Sequence, residues 1–293
     1  MSVFASNGFN AGAYLALRPA YNQELVKWLL GYHIGARNRA VDVACGPGTF
    51  TLNLAKEFKH VVGIDPSPNM IEAAQLDTGT KGVTNVEYSQ GFGENLPIEP
   101  DSVDLLTVMQ GAHWFDIHRF FNEALRVLRP GGTLAMVGYN YAEITDWPES
   151  LGGRNFASKL AFDQNLLRSY WEEGFLLLDK AYAPLLCEAQ KVPDFEEIKH
   201  VGFPKSRTSG IANMSTLPEP WIDSKTMSFD QFRAYIKTWS SYKAWKDAHP
   251  PPIEDILDSY FDKKQQELRS LGQKEEVTVE WPQFAIVARK RMQ

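Results

Sequence analysis

The ten residues Val41 to Phe50, VDVACGPGTF, constrain this chain more than any other stretch. A short apolar run, Arg39 to Val43, meets a turn of small residues, Ala44-Cys45-Gly46-Pro47-Gly48, which opens into a segment of helical spacing. Glycines in such a turn let the backbone approach a ligand with no Cβ in the way. The helix start that follows presents N–H groups that have no partner within the helix. The next β-type run, His60 to Ile64, delivers Asp65 19 residues after Gly46. A carboxylate at that place can accept both hydroxyls of a ribose. Strand, glycine turn, helix, strand and acid in this order predict a parallel α/β sheet.

The first half of the chain keeps alternating in the same way. Thr49 to Phe58 and Pro68 to Ala74 read as helices, the second with proline early, where a missing N–H costs little. Val83 to Ser89, Ser102 to Met109 and Thr133 to Gly138 read as the third, fourth and fifth strands. Ile117 to Leu128 is helical, with apolar residues at 117, 120, 121, 124, 125 and 128. From Tyr141 to Ala189 the chain is rich in aromatic residues and leucine without β alternation, which predicts helices packed on the sheet. Phe195 to Phe203 reads as a sixth strand. Phe229 to Trp245 carries one helical stripe, and Ile253 to Leu271 another helix. Val277 to Ala288 reads as extended and interrupted at Pro282.

Two readings of the glycine turn compete. A dinucleotide fingerprint, GxGxxG, falls on Ala44, Gly46 and Thr49, so only one position fits. The turn instead resembles the loop of class I S-adenosylmethionine-dependent methyltransferases, Asp/Glu-x-Gly-x-Gly-x-Gly, on Asp42, Ala44, Gly46 and Gly48, with Ala44 departing at the first glycine. Asp65 then matches the family's ribose-binding acid, followed by Pro66, and Met70 matches a residue that lies against the adenine. Gln90 to Pro97 (QGFGENLP) matches the segment that holds the adenine amino group, with Phe92 where the family has an aspartate and Gly93 and Glu94 following. Arg126 to Thr133 matches the segment before the fifth strand. The resemblance implies a Rossmann-like sheet of seven mostly parallel strands with a helical cap, and S-adenosyl-L-methionine as cofactor. It divides the chain into a helical lid segment at 1–38, a cofactor-binding core at 39–140 and a helical cap insertion at 141–190. The rest of the sheet follows at 191–293, with a second insertion at about 204–272.

Three further segments resemble the fungal trans-aconitate methyltransferase group and imply a small-molecule substrate. These are Tyr14 to Tyr21 (YLALRPAY), His113 to Asp116 (HWFD) and Lys237 to Trp245 (KTWSSYKAW). The segments name Tyr14, Tyr21, His113, Trp114, Trp239 and Tyr242 as substrate residues. Arg18 and Gln110 are placed beside the cofactor; Arg18 can equally clamp a substrate carboxylate or pair with an acidic neighbour. Ligands in open α/β sheets sit beyond the strand ends where the strand order reverses, so Ala44 to Gly48 and Gln110 to Phe115 should face one crevice. The cap aromatics can close it as a lid, or be plain core.

Composition narrows the partners. The 293 residues carry 30 Lys plus Arg against 36 Asp plus Glu, a net charge of −6, with no basic block beyond Ala288 to Met292. Nucleic acids are bound through clustered cations, so none is expected. Two cysteines, Cys45 and Cys187, and six histidines without HxxxH spacing predict no disulfide framework and no metal site. With no basic, apolar leader in MSVFASNGFN and no stretch of roughly 20 apolar residues, a cytoplasmic protein off the membrane is expected. The oligomeric state stays open, with a monomer as the default. Methyl transfer is an in-line displacement governed by positioning. His113 is the one candidate base, and it is equally a satisfied structural histidine. This favours an acceptor already ionised, a carboxylate first and a thiol or dithiol second. A non-catalytic cofactor-binding regulator and a nicotinamide oxidoreductase are the alternatives of other classes.

Overall fold

A computed structural model describes residues 17–202, 215–216 and 221–292. Tyr14 and Phe203 lie outside the described residues. Helix α1 (Gln23–Tyr32) precedes the sheet, with the Asn22 side chain accepting from the Glu24 N–H at its start. Five strands then pair in parallel: β1 (Arg39–Val43), β2 (His60–Asp65), β3 (Val86–Gln90), β4 (Val103–Met109) and β5 (Leu128–Tyr139). They lie in the order β3-β2-β1-β4-β5, so the order reverses between β1 and β4. All seven residues of β4 are buried, as befits a central parallel strand covered on both faces.

Helices α2 (Thr51–Leu54), α3 (Pro68–Thr80) and α4 (Ile117–Val127) connect these strands. The Ser67 side chain accepts from the Met70 N–H at the start of α3, and that of Asp116 from the Arg119 N–H at the start of α4. Such N-caps contribute about 1 kcal/mol each. Helix α4 buries Phe120, Phe121, Ala124 and Val127. Helix α2 is shorter than the sequence suggests: beyond Leu54 the chain runs in turns to Phe58, whose ring is buried beside His33.

The second half adds β6 (Glu143–Ile144), β7 (Phe195–Gly202), β8 (Ser215–Thr216), β9 (Ile222–Ser228) and β10 (Glu276–Lys290). Strand β10 runs antiparallel between β5 and β7 with its second half, and pairs with β6 and β9 with its first. It does not break at Pro282. A proline removes only a donor; its carbonyl accepts from the Asn140 N–H at 3.0 Å, and β10 changes partners just there. The seven-strand series 3-2-1-4-5-10-7 thus carries the expected Rossmann-like order, with β8 at one edge and β6 and β9 on β10.

The remaining helices are α5 (Phe156–Phe162), α6 (Phe175–Asp179), α7 (Ala183–Ala189), α8 (Phe229–Ile236), α9 (Ser240–Ala248) and α10 (Ile256–Ser270). The single helix expected over Phe229 to Trp245 is two, with Trp239 extended between them (φ −70°, ψ 144°). Apolar periodicity reports which face is buried, and both short helices bury the same stripe, so the break leaves no mark in it.

Two apolar clusters, one on each face, flank the sheet, and a third fills the cap. The cap cluster joins Trp147, Phe156, Phe229, Tyr235, Trp239 and Trp281, with Trp171 packed on it. Leu178, Tyr182, Leu185 and Leu186 instead join α4 against the sheet, with Phe175 packed on that cluster. The boundary between cap and core therefore runs between Trp171 and Phe175. Among the described residues no helix is long and apolar enough to cross a membrane.

Trp281 ties the cap to β10. It is fully buried, its indole N–H donates to the Tyr235 hydroxyl at 2.8 Å, and the two rings meet edge to face at 5.3 Å. Trp281→Ala should cost about 3–5 kcal/mol in urea denaturation. A loss below about 1 kcal/mol would show that the cap does not depend on this anchor.

Candidate functional site

The turn after β1 winds through the left-handed region at Ala44 (φ 53°), Gly46 (φ 55°) and Gly48 (φ 81°). At Gly48 a Cβ would collide with the Tyr88 hydroxyl, so glycine is required there on two grounds. Ala44 holds its strained geometry because Gly111, across the switch in strand order, leaves room: a Cβ on Gly111 would meet the Ala44 Cβ at 2.6 Å. Asp65 ties this turn to the end of β2. One carboxylate oxygen accepts from the Gly46 N–H and the other from the Ser67 N–H, each at 2.9 Å. Burial raises its pKa against those two bonds.

Beneath the turn, Asp42 is fully buried and accepts from the hydroxyls of Thr51 and Thr107, each at 2.7 Å. Burial pushes its pKa up to about 6 although both hydroxyls oppose the shift. Asp42 and Gly48 thus shape the turn from below and do not line the cavity above it.

That cavity, about 350 Å³, opens at the ends of β1, β2 and β4, a volume suited to a small-molecule ligand. Of the residues named from the sequence it gathers Arg18, Tyr21, Ala44, Cys45, Gly46, Asp65, Pro66, Met70, Gly93, Glu94, Gln110 and Trp114. Phe92 lines it too, 59% exposed, in place of the family's aspartate. Pro19, Phe50 and Phe115, from segments that the sequence singles out, also line it, as do Met109, Tyr139 and Glu172, which the sequence reading did not place in the site. For Tyr139 a signal existed: it ends β5, the strand beside β4.

Gln110 sits at φ 59° and uses its side-chain amide on the backbone of Tyr139, accepting from its N–H at 2.7 Å and donating to its carbonyl at 3.2 Å. It spaces the ends of β4 and β5. Arg18 donates to the Tyr139 hydroxyl at 3.2 Å and the Thr238 carbonyl at 2.9 Å, and lies 5.7 Å from the centre of the Tyr235 ring.

His113 is not among the lining residues. It is buried between Trp114 and Phe175 at 4.9 and 4.8 Å, with its Nδ1 3.0 Å from the Tyr182 hydroxyl. Burial first, and the charge of Arg18 second, bring its pKa down to about 3. Trp239 lines a second, smaller cavity. Tyr242 lines neither; it donates to Asp255 and stacks on Trp245 in the cap. Among the described residues no group of three His, Cys, Asp or Glu is placed to hold a metal ion.

Comparison with known proteins fits this geometry. A family profile described as a methyltransferase domain matches residues 41–136. The chain is 26% identical to CRG1 of Saccharomyces cerevisiae, assigned as an S-adenosylmethionine-dependent methyltransferase, over 98% of both chains. It is 28% identical to a Dictyostelium discoideum protein assigned as a methyltransferase, over 95% of this chain and 92% of the relative. Among solved structures it resembles a candidate type II methyltransferase from Anaeromyxobacter dehalogenans, at 26% identity and a TM-score of 0.56, over 94% of this chain and 99% of the other.

Asp42 generates a pH dependence with a definite sign. Its folded-state pKa of about 6 lies above the ordinary 3.8, so the folded protein holds this proton more tightly than the unfolded chain does. Its favourable contribution is complete below about pH 4 and is lost as pH rises through 6, a swing of roughly 2–3 kcal/mol. The stability of the protein minus that of Asp42→Asn, from urea denaturation, should fall from pH 4 to 6.5 and then level. A pH-independent difference would place the titration elsewhere.

Proposed function

We propose that this chain, which is a class I S-adenosylmethionine-dependent methyltransferase, methylates a small molecule, with a carboxylate as the favoured acceptor. The observation that supports this reading is a cavity with a cation at one side and, among the described residues, no histidine in its wall. Arg18 lines it, while His113 lies outside it with a pKa near 3.

The residues present fit the cofactor. The turn presents no side chain at Gly46, and Asp65 keeps carboxylate lone pairs beyond its two backbone bonds. Asp65 would hold the ribose, Met70 and Phe92 would flank the base, and Arg18 is placed to meet a carboxylate. When bound, the sulfonium supplies the methyl group: its C–S bond breaks as the acceptor–carbon bond forms, and S-adenosylhomocysteine leaves. A carboxylate acceptor loses its single negative charge as the sulfonium loses its positive one, so no proton has to move. A thiol acceptor would release a proton, which would fall to one of the three lining carboxylates, Asp65, Glu94 or Glu172. Asp65 and Glu94 are both engaged by backbone N–H groups.

The chain's own contribution is then orientation and exclusion of water. Tyr139, Gln110 and Arg18 fix the far wall, and Pro19 and Tyr21 come over from the N-terminal segment as part of a lid. His113 is best read as packing, with its ring held by Tyr182.

The test is turnover of methyl-labelled S-adenosylmethionine with a panel of small carboxylic acids and thiols, with and without EDTA. The expected product is alkali-labile, releasing labelled methanol, and forms equally with chelator present. An alkali-stable product made only from thiols would replace the carboxylate by the thiol reading. Loss of turnover in EDTA, restored by a divalent ion, would contradict the base-free mechanism.

A further inference from the structure

Next to the main cavity lies a second one of about 30 Å³, and the two share Arg18, Gln110 and Tyr139. Beyond those three its wall is almost wholly aromatic and aliphatic: Tyr141, Trp171, Phe175, Leu178 and Trp239 are the residues that matter. The rings touch in sequence. Trp171 lies 4.3 Å from Phe175 and 5.4 Å from Trp239, and Tyr141 lies 5.9 Å from both tryptophans. Phe175 in turn meets Trp114, which lines the main cavity, at 5.1 Å. An unbroken aromatic wall thus runs from one cavity into the other.

The chamber as it stands has room for about one water molecule. It also lies on the seam between two apolar clusters, with Trp171 packed on the cap cluster and Phe175 on the core cluster. Both side chains are only partly buried. Separating the two rings parts two clusters and breaks into neither.

Charge restricts what can enter. Among the described residues Arg18 is the one cation lining either cavity, whereas Asp65, Glu94 and Glu172 bring three carboxylates to the larger one. Like charges placed against one another are disfavoured by several kcal/mol across an interface, and a charge in the aromatic chamber without a partner is more costly still.

We propose that this chamber is the acceptor subsite. It takes a compact molecule with a flat apolar body and no more than one negative charge, and that body enters by parting Trp171 and Trp239 from Phe175. The proposal rests on the methyl-transfer reading above and narrows its substrate class, since it disfavours a tricarboxylate such as trans-aconitate. The anionic end of the acceptor stays at the Arg18 and Gln110 side, and the apolar body lies between the rings.

Tryptophan fluorescence of the full chain, saturated with S-adenosylhomocysteine, tests this directly, because Trp171 and Trp239 form the chamber wall. Titration with trans-cinnamate should give saturable quenching. Trans-aconitate should bind at least tenfold more weakly. Trp239→Phe should remove a third or more of the quench. Phe175→Ala, which widens the chamber, should shift preference toward 2-naphthoate over cinnamate at least fivefold. Equal or tighter binding of trans-aconitate overturns the proposal. So does a cinnamate response that both variants leave unchanged, or no response in the unaltered protein. Calorimetry with S-adenosylhomocysteine on every protein separates the two levels. Cofactor binding without acid binding removes the chamber assignment alone, and an unaltered protein that binds no cofactor removes the reading beneath it.

Discussion

The site depends on one carboxylate. Asp65 accepts from the N–H groups of Gly46 and Ser67 at once, so the turn after β1 and the turn after β2 are held at a fixed separation by a single side chain. Charge-assisted bonds of this kind are roughly twice as strong as neutral ones, and here they are made where burial weakens competition from water. The cavity between the two turns has its shape because of them. Asp42 does the same work one layer lower, joining β1 to Thr51 of α2 and Thr107 of β4.

Strain in the turn is offset from across the sheet. Ala44 occupies a left-handed conformation that an alanine adopts at a cost of order 1 kcal/mol, and it stands where the resembled family has glycine. Its Cβ faces Gly111, whose own lack of a side chain makes the contact possible. The missing glycine of the first loop has in effect been balanced by one in the loop after β4. Gln110 beside it, also at positive φ, is held by two hydrogen bonds to the Tyr139 backbone. These positions mark the point where the strand order reverses, where α/β sheets bind their ligands.

The sheet and the cavity wall at Ala44 to Gly46, Asp65 and Met70 were legible in the sequence because they are local. A strand, a glycine turn and an acid at the next strand end are adjacent in the chain, and their spacing carries the chemistry. The aromatic chamber was less legible because it is assembled from distant segments. Arg18, Tyr139, Trp171, Phe175 and Trp239 meet only when the cap folds over the sheet. Periodicity placed Trp239 and Tyr242 on one stripe, yet the break between α8 and α9 sends Trp239 to a cavity wall and Tyr242 to Asp255. His113 stood beside a strand end in the expected crevice, but Tyr182 and Phe175, some 60 to 70 residues on, draw it into the core. No pattern local to His113 reports those neighbours.

Through its bonds to both turns, the Asp65 carboxylate shapes the cavity proposed to hold the cofactor. Calorimetric titration of S-adenosylhomocysteine into the protein and into Asp65→Ala tests it most directly. Losing a charge-assisted acceptor is worth roughly 1.5–3 kcal/mol, so affinity should fall between about 10-fold and 150-fold while thermal unfolding of the sheet remains cooperative. Unchanged affinity in Asp65→Ala would mean that the nucleoside is held elsewhere and would contradict the account.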